Sequence, residues 1–197
     1  TISGHWKRDN SARLAAADLA NACRRNREKV VRCLLEAGAE KDCRVHTSFK
    51  TALMLASEHG HLEIVRLLLE AGARPEKAHH SGKTALIFAS ECGHVEVVRL
   101  LLAADSGQEF TELRFKAALL PACEKGHLEV VRLLLQAGAE IDGTDDSGKT
   151  AFIVASRCGH SEIVRLLLDA GKEVAHRHVK AALMLATERG HFEVVRL

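Results

Sequence analysis

The stretch GHLEIVRLLL at residues 60–69 decides the architecture, because it returns four more times. The copies are GHVEVVRLLL at 93–102, GHLEVVRLLL at 126–135, GHSEIVRLLL at 159–168 and GHFEVVRL at 190–197. They follow at steps of 33, 33, 33 and 31 residues. A fixed period of that size marks a repeat architecture. Upstream of each copy lie TALMLAS (51–57), TALIFAS (84–90), AALLPAC (117–123), TAFIVAS (150–156) and AALMLAT (181–187). A diverged copy, KVVRCLLEAG at 29–38, leads the series. This places a tail at 1–10 and one array at 11–197, with repeats at about 11–45, 46–78, 79–111, 112–144, 145–175 and 176–197.

Each unit reads as helix–turn–helix. Thr51, Thr84 and Thr150 are expected to cap a first helix, since a hydroxyl accepts from the unpaired N–H groups of a first turn. Gly60 and its equivalents end that helix, because glycine takes a left-handed backbone cheaply. In the second helix Ile64, Val65, Leu67, Leu68 and Leu69 form an apolar face too wide to leave in water. One pair cannot bury that face, whereas stacked pairs can. Leu197 falls inside such a helix, so the native chain is expected to continue or a partner to cover Val194, Val195 and Leu197.

Composition agrees. The chain is 47% hydrophobic and 27% charged over 197 residues, enough for a core. Aromatics are 4% with no Tyr, which argues against an all-β protein. A net charge of +2 makes nucleic acid an unlikely target. No apolar run reaches the ~18–20 residues of a membrane span. The six cysteines show no tight framework and read as reduced thiols in an intracellular setting, cytoplasmic by default with an organelle left open.

The period, the G-H-x-E-[IV]-V-x-L-L-L helix and the D-x-x-G-x-T entry at Asp145–Thr150 together resemble the ankyrin repeat. The resemblance covers nearly the whole chain from about Ser11, with a diverged first and a truncated last repeat. It implies an all-α solenoid of L-shaped helix–turn–helix units with short β-hairpin fingers. It also implies a concave surface of finger tips and first helices that binds other proteins. This chain departs from the family where Met54, Ile87, Leu120, Ile153 and Met184 replace a histidine, and where Pro121 enters a first helix. The turn after Leu102 and the short junction at Gly171–Ala175 are expected to be irregular.

On that surface one row stands out. Lys50, Lys83, Lys116, Lys149 and Lys180 each directly precede the expected N-cap position. A cation at a helix N-terminus opposes the macrodipole, so helix stability does not account for the row. It reads either as a stripe for an acidic partner segment or as a solvated residue copied by duplication, with Glu58, Glu91, Glu124 and Glu188 beside it. At the finger turn Gly82 and Gly148 alternate with Phe49, Phe115 and Val179. Phe49 and Phe115 read either as exposed anchors or as rings tucked against a neighbouring finger.

The remaining clusters read as structural. Glu63, Glu96, Glu129, Glu162 and Glu193 stand three before an arginine, the spacing of weak surface ion pairs. The Gly-His histidines read as turn residues. Cys92-Gly-His94 and Cys158-Gly-His160 lie 66 residues apart, roughly 20 Å along a stack, so no metal site is expected. No nucleophile or phosphate-binding motif is present, and neither an enzyme nor a cofactor is expected. Cys23, Cys33 and Cys123 are expected in the core, with Cys92 and Cys158 accessible. The function expected is non-catalytic protein–protein recognition, as scaffold or adaptor. The alternative is a structural accessory subunit of a larger assembly.

Overall fold

The computed structural model describes residues 14–44, 49–104, 111–144, 148–171 and 176–197. The described residues are helical apart from turns, and none of them lies in a β-strand. The first helices are α1 (14–24), α3 (Ala52–Glu58), α5 (Ala85–Glu91), α7 (Thr111–Lys125), α9 (Ala151–Cys158) and α11 (His176–Glu188). Each is followed by its second helix: α2 (Glu28–Glu36), α4 (Leu62–Glu70), α6 (Val95–Ala104), α8 (Leu128–Gln136), α10 (Ser161–Ala170) and α12 (Phe192–Arg196). The pairs are consistent with about six repeats of an all-α ankyrin-type stack. The hairpin fingers anticipated from the resemblance are not formed as strands. Between α4 and α5 the chain turns instead, with His79 N–H donating to Lys83 O at 2.8 Å and Gly82 N–H to His79 O at 2.9 Å. The irregular junctions expected after Leu102 and near Gly171 lie mostly outside the described residues.

Two compact units result. One holds α1–α4, most of α5 and α6; the other holds Ser90–Val95 and α7–α12. Burial within each unit gives the stacking logic residue by residue. In the first unit Val31, Ile64 and Val65 are buried, but Val30, the counterpart of Ile64, is exposed. In the second unit Val164, Ile163 and Val194 are buried, but Val195, the counterpart of Val164, is exposed. Within a unit, the first residue of such a pair is therefore covered by the helix pair before it, and the second by the pair after it. Cys33 is exposed rather than in the core, because it occupies the place of Leu67, which is itself only half-buried.

The histidines do more than turn the chain. Nε2 of His127 lies 3.1 Å from Glu91 O, that of His160 3.1 Å from Glu124 O and that of His191 3.1 Å from Arg157 O. In the first unit His61 Nε2 is 3.2 Å from Arg24 O. Each ring thus satisfies a carbonyl left unpaired at the end of the preceding first helix. The rings of His127, His160 and His191 also lie on the glycine of the preceding repeat: a Cβ at Gly159 would stand 2.5 Å from His191 Nδ1. Glycine is needed there twice over, for its φ of +79° and for the space.

The entry into the first helix takes two forms. Thr51 Oγ1 accepts from Met54 N at 3.3 Å, and Thr150 Oγ1 accepts from Ile153 N at 3.4 Å. Met54 Sδ in turn accepts from Thr51 N at 3.5 Å, so the thioether supplies a local bond where the family carries histidine. Thr84 stands in the same place, but its hydroxyl is buried without a hydrogen-bond partner. Where alanine replaces threonine, at Ala117 and Ala181, the helix is not stopped. α7 starts at Thr111 and runs through Pro121, and α11 starts at His176. Lys116 and Lys180 therefore lie inside helices rather than ahead of them.

Two glycine substitutions in the second unit separate these contributions. Gly148 has φ +75° and nothing within 4 Å of an added Cβ, so Gly148→Ala should cost about 1 kcal/mol for the backbone alone. Gly159→Ala must also displace His191 and its bond to Arg157 O, and should cost roughly 2–4 kcal/mol. Urea unfolding of the two variants checks the difference; equal losses would remove the histidine contact from the account.

Candidate functional site

The finger and first-helix surface is built differently in the two units. In the first unit Lys50 is half-buried and forms an ion pair with Glu58 at 2.5 Å. Its Nζ also stands 4.3 Å from the centroid of the Phe88 ring, and Lys83 Nζ stands 5.7 Å from the same ring. Two of the lysines thus approach one aromatic face, a favourable cation–π setting. Phe49 is 51% exposed, with φ +53°. Its ring meets that of His80 edge-on at 5.5 Å.

In the second unit the row looks otherwise. Lys149 precedes the Thr150 cap and is half-buried. Lys116 lays its aliphatic stem against Gly143, where a Cβ would stand 2.8 Å from its Cδ. Lys180 is exposed on α11. Phe115 is corrected from a surface anchor to a core residue: it lies within α7 and is 8% exposed. The extension of α7 turns its ring inward, so it is not available to a partner.

The carboxylates beside the row are engaged to different degrees. Glu58 is held by Lys50, and Glu124 accepts from Arg157 Nη2 at 3.0 Å. Glu91 is half-buried, and its carbonyl receives the His127 bond. On the second helices, Glu63–Arg66, Glu96–Arg99, Glu129–Arg132 and Glu193–Arg196 pair at 3.5, 3.5, 3.6 and 3.8 Å. Those exposed pairs are solvated structure, each worth about 0.2–0.5 kcal/mol.

The pattern of paired helices and the model of one family agree. A family model that describes three copies of the ankyrin repeat matches residues 19–114 and, a second time, residues 108–178. The chain belongs to the ankyrin repeat family. Its members are protein-interaction modules, generally non-catalytic. No curated protein compared with the chain matches it significantly. In this ankyrin repeat chain no described helix is long and apolar enough to cross a membrane. Among the described residues no three His, Cys, Asp or Glu side chains gather closely enough to hold a metal ion.

The cysteines, all six among the described residues, are thiols. Burial pushes the Cys23 thiol up to about 12 from an ordinary value of 9.0. Cys123 is likewise pushed up to about 12, by burial first and by the nearby Cys158 second. A raised thiol pKa means negligible thiolate at pH 8, and the thiolate is the nucleophile. Iodoacetamide at pH 8 should therefore label the exposed Cys92 and Cys33 first and the half-buried Cys43 and Cys158 more slowly. Cys23 and Cys123 should react only when the protein is unfolded. Peptide mapping of a labelling time course checks the order.

Proposed function

We propose that this ankyrin repeat chain binds an acidic segment of a partner protein along its finger and first-helix surface, without catalysing a reaction. The observation that carries the reading is a lysine at the same place in five successive repeats. Packing does not require it, and the macrodipole opposes it ahead of α3 and α9. The settings of Lys50 and Lys83 over Phe88 support a surface where cation heads are held in place rather than left to sweep through solvent. Glu58, Glu91 and Glu124 border the row and set its charge locally, so a partner carboxylate competes with Glu58 for Lys50.

A second reading has its own observation. Leu183 and Met184 on α11, Phe192 and Val195 on α12, and Leu197 just after it are exposed, with Met184 at 56% and Phe192 at 76%. Beside them lies a groove of about 260 Å³. Apolar exposure of this kind favours a face covered by another protein inside a larger assembly.

The two readings separate by salt. The partner captured from extract on the immobilised chain at low ionic strength should associate more slowly with the Lys50, Lys83, Lys116 and Lys149 to Ala variant. The difference should vanish by about 0.5 M salt, as screening removes it. Leu183→Ser with Met184→Ser should leave that association unchanged. The reverse pattern, loss with the apolar pair and none with the lysines, would put the assembly reading first.

A further inference from the structure

The first helix pair keeps one face open. Val30 and Leu34 on α2 are the counterparts of Ile64 and Leu68 on α4, which are fully buried. Here Val30 is 43% exposed and Leu34 is half-buried. On that side lies a groove of about 390 Å³, lined by Val30 and Leu34 together with Asp18, Asn21, Arg25 and Arg27.

The rim of the groove is cationic. Arg24, Arg25, Arg27 and Lys29 are all exposed. None of these four side chains has a hydrogen-bond or ion-pair partner among the described residues. Glu28, which stands between them in sequence, is taken by Arg32 at 3.1 Å. Asp18 is the one acid in the groove wall. Helix stability does not require this charge. Arg27 is the N-cap of α2 and makes no side-chain capping bond, and Lys29 stands in the first turn, where the macrodipole opposes a cation. In α4, α8, α10 and α12 the N-cap is instead the histidine that reaches a carbonyl of the preceding first helix. No described helix precedes α1, so Arg27, at the histidine's place, bonds none.

A group that covers Val30 and Leu34 must be apolar. Covering Arg25 and Arg27 without anions would take two unpaired charges out of water, which is costly. The complement is therefore an apolar side chain with carboxylates beside it. Residues 1–13 do not supply it, since they carry Lys7, Arg8 and Arg13 against Asp9 alone. A second copy docking by α11 and α12 would bring Glu188 and Glu193 matched by Arg189 and Arg196, with no negative excess. Nucleic-acid phosphates would satisfy the arginines and leave Val30 and Leu34 without an apolar partner.

We propose that this open face is a docking surface, separate from the lysine row, for a segment of another protein in which a Leu-sized apolar side chain is flanked by Asp or Glu. The apolar side chain enters the groove against Val30 and Leu34. The carboxylates pair with Arg25 and Arg27, whose planar guanidinium groups can each donate two parallel bonds to a carboxylate. Asp18 opposes those carboxylates and restrains affinity.

The test uses fluorescein-labelled peptides of about fifteen residues, with Glu on both sides of a central Leu or Ser, and an oligothymidylate of about the same length. Binding to the whole chain is read by anisotropy at low salt, with circular dichroism showing each variant folded. The parent should bind the Leu peptide at least about fivefold more tightly than the Ser peptide. Arg25→Gln with Arg27→Gln should weaken the Leu peptide at least about fivefold. Val30→Ser should erase the preference for Leu. Asp18→Asn should raise the affinity, a gain that a damaged fold does not mimic. The preference for Leu should persist in the Lys50, Lys83, Lys116 and Lys149 to Ala variant. Equal binding of Leu and Ser peptides by the parent, or an affinity unmoved by the two arginine changes, would overturn the proposal and leave the lysine row as it stands. So would no binding of either peptide. Oligothymidylate bound more tightly than the Leu peptide, with the same dependence on Arg25 and Arg27, would make the rim a phosphate surface and overturn it as well.

Discussion

Everything in this molecule depends on the fact that one of its helix pairs cannot bury its own apolar face. Ile64 and Val65 are neighbours in sequence yet point to opposite neighbours in the stack, one covered from each side. The contact between consecutive pairs is then fixed in register by a polar device, the imidazole that rests on a glycine and bonds the carbonyl at the end of the preceding first helix. Hydrophobic burial alone is non-directional. A ring wedged between a glycine Cα and a carbonyl allows far fewer arrangements. The apolar columns supply the larger energy and the histidines supply the specificity of register.

The surface follows from how each first helix begins. Thr51 and Thr150 stop the helix with a hydroxyl. With alanine at 117 and 181 no such stop exists, and Phe115 and Val179 are poor turn residues, so the helix runs on toward the N-terminus. The same exchange decides where Lys116 and Phe115 go: the lysine lies along the helix surface over Gly143, and the ring turns into the core. A row of identical letters in the sequence is therefore not a row of identical sites. In each unit the lysine's setting is decided by the residue after it.

This marks how far the sequence was legible. Period and apolar spacing were enough for helix pairs and family, because they follow from a face that must be covered. The columns of burial were implicit in the same pattern. The histidine lock was not read, since its partner is a carbonyl some 34–37 residues away, and main-chain acceptors leave no letter in the sequence. The alternation of Gly82 and Gly148 with Phe49 and Phe115 was visible, but its meaning was split. Phe49 stays ahead of its helix with φ +53°, Phe115 lies inside α7, and the discriminating residues are Thr51 and Ala117. Cys33 was misplaced because its column is only half-buried at Leu67, Leu100, Leu133 and Leu166 alike, whereas Val30 is exposed because its repeat lacks a neighbour on that side. The burial of a column cannot be carried to its terminal member.

That Phe49 can hold an unfavourable backbone at all is a consequence of what comes next in the chain. From Thr51 to Ser57 every residue is buried, and the helix start is closed by two reciprocal bonds between Thr51 and Met54. An exposed turn joined to so constrained a segment has little freedom to relax, and strain persists where the surroundings over-determine the geometry. The finger edge joins neighbouring repeats as well: Arg44 Nη2 donates to Ala78 O at 2.7 Å, and Asp42 accepts from Arg74 Nε at 3.0 Å. Among the described residues Phe49 is the one ring whose position runs against what the backbone alone would favour, with φ +53°.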